Sequence, residues 1–307
     1  MYVTIPKPIT DAMITGTNAP DSSTTDYPGI TTWAAGSYTV GAYVIYPPEN
    51  AIYRCAVNTS TVPPTGAAED PQKWVYVDKN NPYRLTDGII SSPTVSEDGF
   101  YIDITPSGVT GALAAFEVSG VNVVNITVDS VLSGGEIYNR DIQMQDNTEV
   151  TDEWLYFFAP ITYRSSFVVY DLPPASDAII TVDFQSTSTA SVGELVIGNR
   201  RTLGTAIDGS GFDNADLSRV NYNDFGEITG KTIRPNINLI NYNVKVDSSR
   251  IGYLRNILET IGKTTECVWA GSADSFDDLL AYGFYESFSN IIYSETSDCT
   301  IKVRTIA

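Results

Sequence analysis

Five carboxylates crowd the stretch from 141 to 153, in the order Asp141-x4-Asp146-x2-Glu149-x2-Asp152-Glu153. Acids in such numbers suit two chemistries. A pair can hydrolyse a glycoside, one protonating the leaving oxygen and the other acting as base or nucleophile. Several together can wrap Ca2+, which prefers many oxygen ligands from loops. Neither signal is specific, because the D-x-D-x-D-G-x5-E loop order is absent and 37 acids in 307 residues make chance proximity common. Asp208-Gly209-Ser210-Gly211-Phe212-Asp213-Asn214-Ala215-Asp216 is glycine-rich but has neither the lysine of a phosphate loop nor a repeat, and reads as a turn. The chain contains no His, so no Ser or Cys can be activated by imidazole. There is also no G-x-S-x-G elbow. Cys55, Cys267 and Cys299 lie far apart without C-x-x-C spacing, which suggests neither zinc site nor disulfide framework. They are expected to be buried thiols of a protein made in a reducing cytosol. No catalytic or metal-ligating residue is assigned, and the chain is read as a non-enzyme; Ca2+ is the one cofactor held open, on the acidic cluster.

The elements available to position such residues are mainly β. Charged residues are only 18% of the chain, and Thr, Ser, Asn, Gly and Tyr are abundant, as in turn-rich sheet proteins. Residues 1–30, with Pro6, Pro8, Pro20 and Pro28, show no apolar period and read as an extended arm ordered only if a neighbour holds it. Residues 31–84 read as a small aromatic β module and linker, with strands at Ser37–Ile45, Ala51–Asn58 and Trp74–Val77. Residues 85–204 read as an antiparallel β-sandwich, with strands expected at 99–104, 112–118, 122–128, 154–161, 166–170, 178–184 and 192–197 and no helix. Residues 205–307 read as an α+β, strand-helix-strand, barrel-like assembly domain. Its strands are expected at 233–246 and 284–304, and Ile251, Leu254, Leu258 and Ile261 mark one face of a helix capped near Asp247 or Ser248 and stopped at Gly262. A second short helix is expected over 275–281. One helix covers one sheet face, so another face or edge of this domain is expected to need a partner, with copies of the chain pairing around a ring.

Charge narrows the partners. The chain carries −19, and four bases against 16 acids put −12 of it on residues 85–204. Such a field disfavours nucleic acid and anionic lipid. Apolar runs such as 112–116 and 154–160 fall far short of the ~20 residues of a spanning helix, so no membrane insertion is expected. The opening Met1–Lys7 lacks the charged start and apolar stretch of a signal peptide, which predicts a chain not exported by the usual route.

The aromatic residues carry the strongest pattern. Trp33, Tyr38, Gly41, Val44, Tyr46, Tyr53 and Cys55 run W-x4-Y-x2-G-x2-V-x-Y-x6-Y-x-C, followed by a Pro-rich loop and Trp74. This resembles the chitin-binding type of small carbohydrate-binding module, whose pattern is W-x4-Y-x2-G-x-x-V-x-Y-x-G-x2-Y-x-C/A, then Pro and a closing W. One departure stands out: the family's short turn glycine is replaced by the longer Pro47-Pro48-Glu49-Asn50-Ala51. Flat rings stack on the apolar faces of pyranoses, and the resemblance implies Trp33, Tyr46, Tyr53 and Trp74 as sugar-contacting candidates. The competing reading makes Trp33, Tyr38, Tyr53 and Trp74 the core of a fold of about 50 residues that has few other large side chains. Beyond the module, Trp74-Val75-Tyr76-Val77-Asp78 with Asn80-Asn81-Pro82-Tyr83-Arg84-Leu85-Thr86-Asp87 is similar to the linker W-x-D-x-G-P-T-N-R-x-x-x-F-D of bacteriophage tail proteins. Residues 192–200 with Leu203-Gly204, then Asn223-Asp224-Phe225-Gly226, Tyr282-Gly283-Phe284-Tyr285 and Cys299-Thr300-Ile301-Lys302-Val303, resemble those proteins in the same order. The resemblance implies a structural tail-tip or baseplate protein, made in the host cytoplasm and located in the virion tail. Its implied partners are copies of itself, other tail proteins and host-surface glycan. The alternatives are a carbohydrate-binding protein or a tail-associated glycan depolymerase.

Overall fold

The computed structural model describes every residue except Asn147, Glu149, Pro235, Asp277 and Ala307, and Asn236 by its backbone alone. The chain opens with β1 (Tyr2–Lys7) and β2 (Ile14–Thr17). The module contributes β3 (Thr31–Thr32), β4 (Tyr43–Tyr46), β5 (Ala51–Cys55), the short helix α1 (Pro63–Ala67) and β6 (Trp74–Lys79). The middle supplies β7 (Thr94–Ser96), β8 (Gly99–Ile104), β9 (Ala112–Phe116), β10 (Val123–Ser130), β11 (Gly135–Gln143), β12 (Gln145–Asp146), α2 (Glu153–Phe158), β13 (Thr162–Tyr163), β14 (Phe167–Val169), β15 (Ala178–Gln185), β16 (Ala190–Val192) and β17 (Glu194–Thr202). The last third supplies β18 (Thr205–Ala206), β19 (Gly211–Asp216), β20 (Arg219–Tyr222), β21 (Ile228–Thr232), β22 (Asn236–Asp247), α3 (Ile251–Ile261), β23 (Cys267–Ala270), β24 (Ala281–Ile291) and β25 (Thr296–Thr305).

The fold is mainly β, as the composition implies. A five-stranded antiparallel sheet, β11-β10-β15-β8-β2, packs over one end of a ten-stranded sheet ordered β14-β9-β17-β1-β23-β24-β25-β22-β18, with β19 also on β22. Strand β10 alternates half-buried and buried positions along its whole length. Its Val124, Ile126 and Val128 meet Leu113, Ala115, Leu195 and Ile197 of the larger sheet in the sandwich core. By contrast β9 is buried on both faces, so its sequence ALAAF is continuously apolar rather than alternating. Its second face joins another cluster in which Phe116 stacks on Tyr282 of β24 with ring centroids 5.3 Å apart. Four strand steps separate β9 from β24, a distance of about 19 Å along a flat sheet. The ring contact therefore requires the ten-stranded sheet to curl into a half-barrel.

The N-terminal segment is not a free arm. Strand β1 runs between β17 and β23, with Val3 opposite Arg201 on one side and Trp269 on the other, and Met1 and Val3 are buried. Pro6 is tolerated because β23 pairs only with residues 2–4, leaving no ladder bond for its missing N–H to make. Opposite it sits Gly198, where a Cβ would lie 2.3 Å from the Ile5 carbonyl oxygen. The backbones approach too closely there for any other residue. Because β1 belongs to both halves, the sheet passes unbroken through the position 204/205 taken as a boundary. It also fills the edge of residues 205–307 that was expected to seek a partner, while β18 and β19 cover β22.

Helix α3 forms as its apolar spacing implies. Asp247 accepts from the Ser249 N–H to start a 3-10 turn, Leu254, Ile257, Leu258 and Ile261 are buried, and Gly262 stops the helix at φ 64°. Two helix expectations fail. Residues 153–158, expected inside a strand over 154–161, form α2, because Asp152 accepts from the Leu155 N–H at 2.8 Å and Pro160 follows the last turn. The second helix over 275–281 is absent: Ser275 instead accepts from the Val168 N–H, Phe276 supports the Arg164 guanidinium, Ala281 begins β24, and Asp277 lies outside the described residues.

Candidate aromatic binding surface

The module is a four-stranded sheet, β3-β4-β5-β6, rather than the three strands expected, with β3 parallel to β4. Alternation along β4 and β5 divides its large side chains. Ile45 and Ile52 pack with Ile30 and Tyr27 on one face. Val44, Tyr53, Cys55 and Trp74 form the core of the other, with Trp33, Tyr38 and Tyr46 packed against it. On this second face four rings stand edge to face in a row. Trp33 meets Tyr46 at 5.5 Å, Tyr46 meets Tyr53 at 6.4 Å and Tyr53 meets Tyr76 at 5.9 Å. Trp33 and Tyr46 are half-buried, and Tyr76 is 50% exposed.

Trp74 must be withdrawn from the sugar-contacting set. It is fully buried, its Nε1–H donates to the Thr61 carbonyl at 2.9 Å, and Tyr38 packs edge-on against it. Tyr53 is only 5% exposed, so its ring face is also covered and it serves as the middle of the row. Tyr76 was missed from sequence, although the alternation W-V-Y from Trp74 places it on the same face. The unusual turn has a defined role: Pro47–Glu49 form a 3-10 turn, Asn50 takes the left-handed conformation at φ 48°, and the Tyr53 hydroxyl donates to Glu49 Oε2 at 2.5 Å. Burial and this carboxylate both raise the Tyr53 phenol above its ordinary value. The Trp33 Nε1–H is enclosed without a partner and lies at one end of the ring row.

The described members of the acidic cluster do not converge. Asp141 accepts from Asn125, Asp146 is held by Thr148 and Arg164, and Asp152 caps α2. Glu153 lies in the first turn of α2, and Glu149 lies outside the described residues. No group of three or more potential metal ligands comes together among the described residues. Asp208–Asp216 is a turn only at its start, since Gly211–Asp216 is strand β19 on β22. All three cysteines are buried free thiols. No helix among the described residues is long and apolar enough to cross a membrane.

A different set of acids is electrostatically perturbed. Glu194 on β17 is buried, accepts from the Gly88 N–H at 3.0 Å, and is pushed up to about 9 by burial and then by Asp87. Burial pushes Asp87 itself up to about 6; its Oδ1 accepts from Ile89 N–H, and its Oδ2 is enclosed without a partner. Nearby, the Tyr282 hydroxyl donates to Glu266 at 3.0 Å. These residues line a cleft of 460 Å³. Nothing in their spacing announced them, because Asp87, Glu194 and Glu266 are brought together only by the sheet.

No family model, curated protein or solved structure matches this chain.

Proposed function

We propose that this chain is a structural component of a bacteriophage tail tip or baseplate whose aromatic module contributes to attachment to host-surface glycan. The observation that carries the adhesive part is the row Trp33, Tyr46, Tyr53 and Tyr76, whose ends reach the surface of a compact sheet. Rings packed edge to face on their neighbours offer stacking surface at little entropic cost. The assembly part is supported by large exposed side chains on two projecting elements. On α2, Trp154, Tyr156, Phe157 and Phe158 are 65–74% exposed, and the β20–β21 hairpin presents Tyr222, Phe225 and Ile228. Surfaces of this kind are costly in an isolated soluble protein and suit a subunit that is covered by neighbours.

Two measurements test the proposal. Antibodies against the full chain should label the tail of intact particles, and absence from particles would remove the virion assignment. Trp33→Ala and Tyr76→Ala should each reduce retention on host polysaccharide roughly tenfold or more while the chain stays folded, with Tyr76→Ala, at the more exposed ring, leaving the melting temperature unchanged. Equal retention of wild type and both variants would remove the glycan role. Release of reducing ends, abolished by Glu194→Gln, would replace it with depolymerase activity.

A further inference from the structure

The hairpin β12–β13 is a short stalk with α2 at its tip. Arg164 fixes its base, reaching Asp146 at 3.2 Å and stacking on Phe276 at 4.2 Å. The tip is a convex aromatic knob. Trp154 packs on Phe158 at 4.2 Å and Tyr156 on Phe157 at 5.2 Å, yet all four rings remain largely in solvent. Asp152 and Glu153 make its leading edge acidic, and Glu153 has no ion-pair partner among the described residues.

The same molecule contains a complementary concave surface. An open groove of 760 Å³ is lined by half-buried Ile237 and Phe284, exposed Leu217, and the exposed bases Arg234, Lys263 and Arg304 against one acid, Glu286. None of these three bases pairs with a carboxylate among the described residues. In a chain of net charge −19, a groove that joins three unpaired bases to apolar side chains is the exception. The root of the knob and the groove also lie on one side of the molecule, since Ser165 and Ser166 line the same cleft as Thr305 and Ile306 of the groove wall. A knob and socket on one side cannot fill each other within a chain whose knob stands in solvent. They can be exchanged reciprocally across a twofold axis.

We propose that the α2 knob of one copy docks into the basic-rimmed groove of a second copy, and that the exchange is reciprocal. Charge sets the orientation, with Glu153 facing the Arg234, Lys263 and Arg304 rim. The area is adequate. Trp154, Phe157 and Phe158 share one side of α2 and carry about 150–250 Å² each, so with two-thirds of that still exposed one knob and its groove bury on the order of 800 Å² together, and the pair about 1,600 Å². Specific dimers bury roughly 1,200–2,000 Å². This interface is independent of the ring row, so glycan retention and dimerisation can fail separately.

The test is sedimentation equilibrium of the full chain from about 1 to 100 µM, with zwitterionic phosphatidylcholine vesicles as a separate arm. Wild type should reach twice the 33.4 kDa chain mass. Trp154→Ser with Phe157→Ser should weaken association roughly thirtyfold or more, as expected for central aromatic anchors, with unchanged far-UV circular dichroism. Glu153→Arg and Arg304→Glu should each weaken it, and the two together should restore it. The proposal is overturned by a monomer throughout the range, by a dimer indifferent to the aromatic pair, by failure of the charge swap to restore association, or by a monomer that binds the vesicles through Trp154.

Discussion

Replacing Glu194 by Gln should stabilise the protein, and by an amount that depends on pH. In the folded state the carboxyl is pushed up to about 9, against an ordinary value of 4.5. A raised acid binds its proton more tightly folded than unfolded. Its contribution is fully present below pH 4.5 and is lost progressively as pH rises toward 9. Each pH unit in that window is worth about 1.4 kcal/mol, so at pH 7 the loss amounts to about 3 kcal/mol. Gln has no proton to lose and keeps an acceptor for the Gly88 N–H, which lies 3.0 Å from the carboxylate. Urea unfolding of wild type and Glu194→Gln should give equal stability near pH 4.5 and curves that diverge above it, with the variant about 3 kcal/mol more stable at pH 7. Asp87, raised to about 6, should leave a shallower slope in both proteins between pH 4 and 6. A stability difference independent of pH, or a variant weaker than wild type at pH 7, would refute the placement of Glu194 as a desolvated acid.

Val3→Asp puts a charge on a fully buried strand position and should cost about 4 kcal/mol in denaturant unfolding; a change under about 0.5 kcal/mol would mean that β1 is a detachable arm after all. Asp152→Ala removes the cap on the Leu155 N–H and should loosen α2 by about 1 kcal/mol, read as faster amide exchange at Leu155 with no shift of the global melting temperature. The three cysteines should resist a thiol reagent at pH 8 until the protein is unfolded, Cys267 most strongly, because burial pushes its thiol up to about 12. Calcium and NaCl of matched ionic strength should raise the melting temperature equally, since the described acids of 141–153 do not converge on one point; a rise specific to micromolar calcium would show a dedicated site.

What could be seen in the sequence follows from how far each signal reaches along the chain. Helix α3 was legible because Leu254, Leu258 and Ile261 recur at helical spacing beside a cap and a glycine stop, all within sixteen residues. The sandwich strands were legible from alternation, as in Val123–Ser130. Helix α2 was not, because Trp154, Tyr156, Phe157 and Phe158 have strand propensity and face solvent, so no buried stripe betrays the helix and only Asp152 does. Strand β1 was illegible for another reason. Its partners lie at 197–202 and 268–270, and Pro6 and Pro8 imitate a loop. The rings of the module were visible from their spacing, but spacing alone did not separate covered Trp74 and Tyr53 from exposed Tyr76.

The position of β1 also sets an order of events during synthesis. Residues 2–7 leave the ribosome nearly 200 residues ahead of the β17 edge they pair with, and further still ahead of the β23 edge. At about 5–20 residues per second, the wait for both is roughly 15–50 s. Throughout it, Val3 and Ile5 have no sheet to enter, and β17 once made presents an open edge to any extended chain, including another nascent copy. The half-barrel can thus close only after β23 is made, around a segment made long before it. Chaperone capture of residues 2–7, or faster elongation between 202 and 267, should shorten or cover that exposure and raise the yield of folded protein.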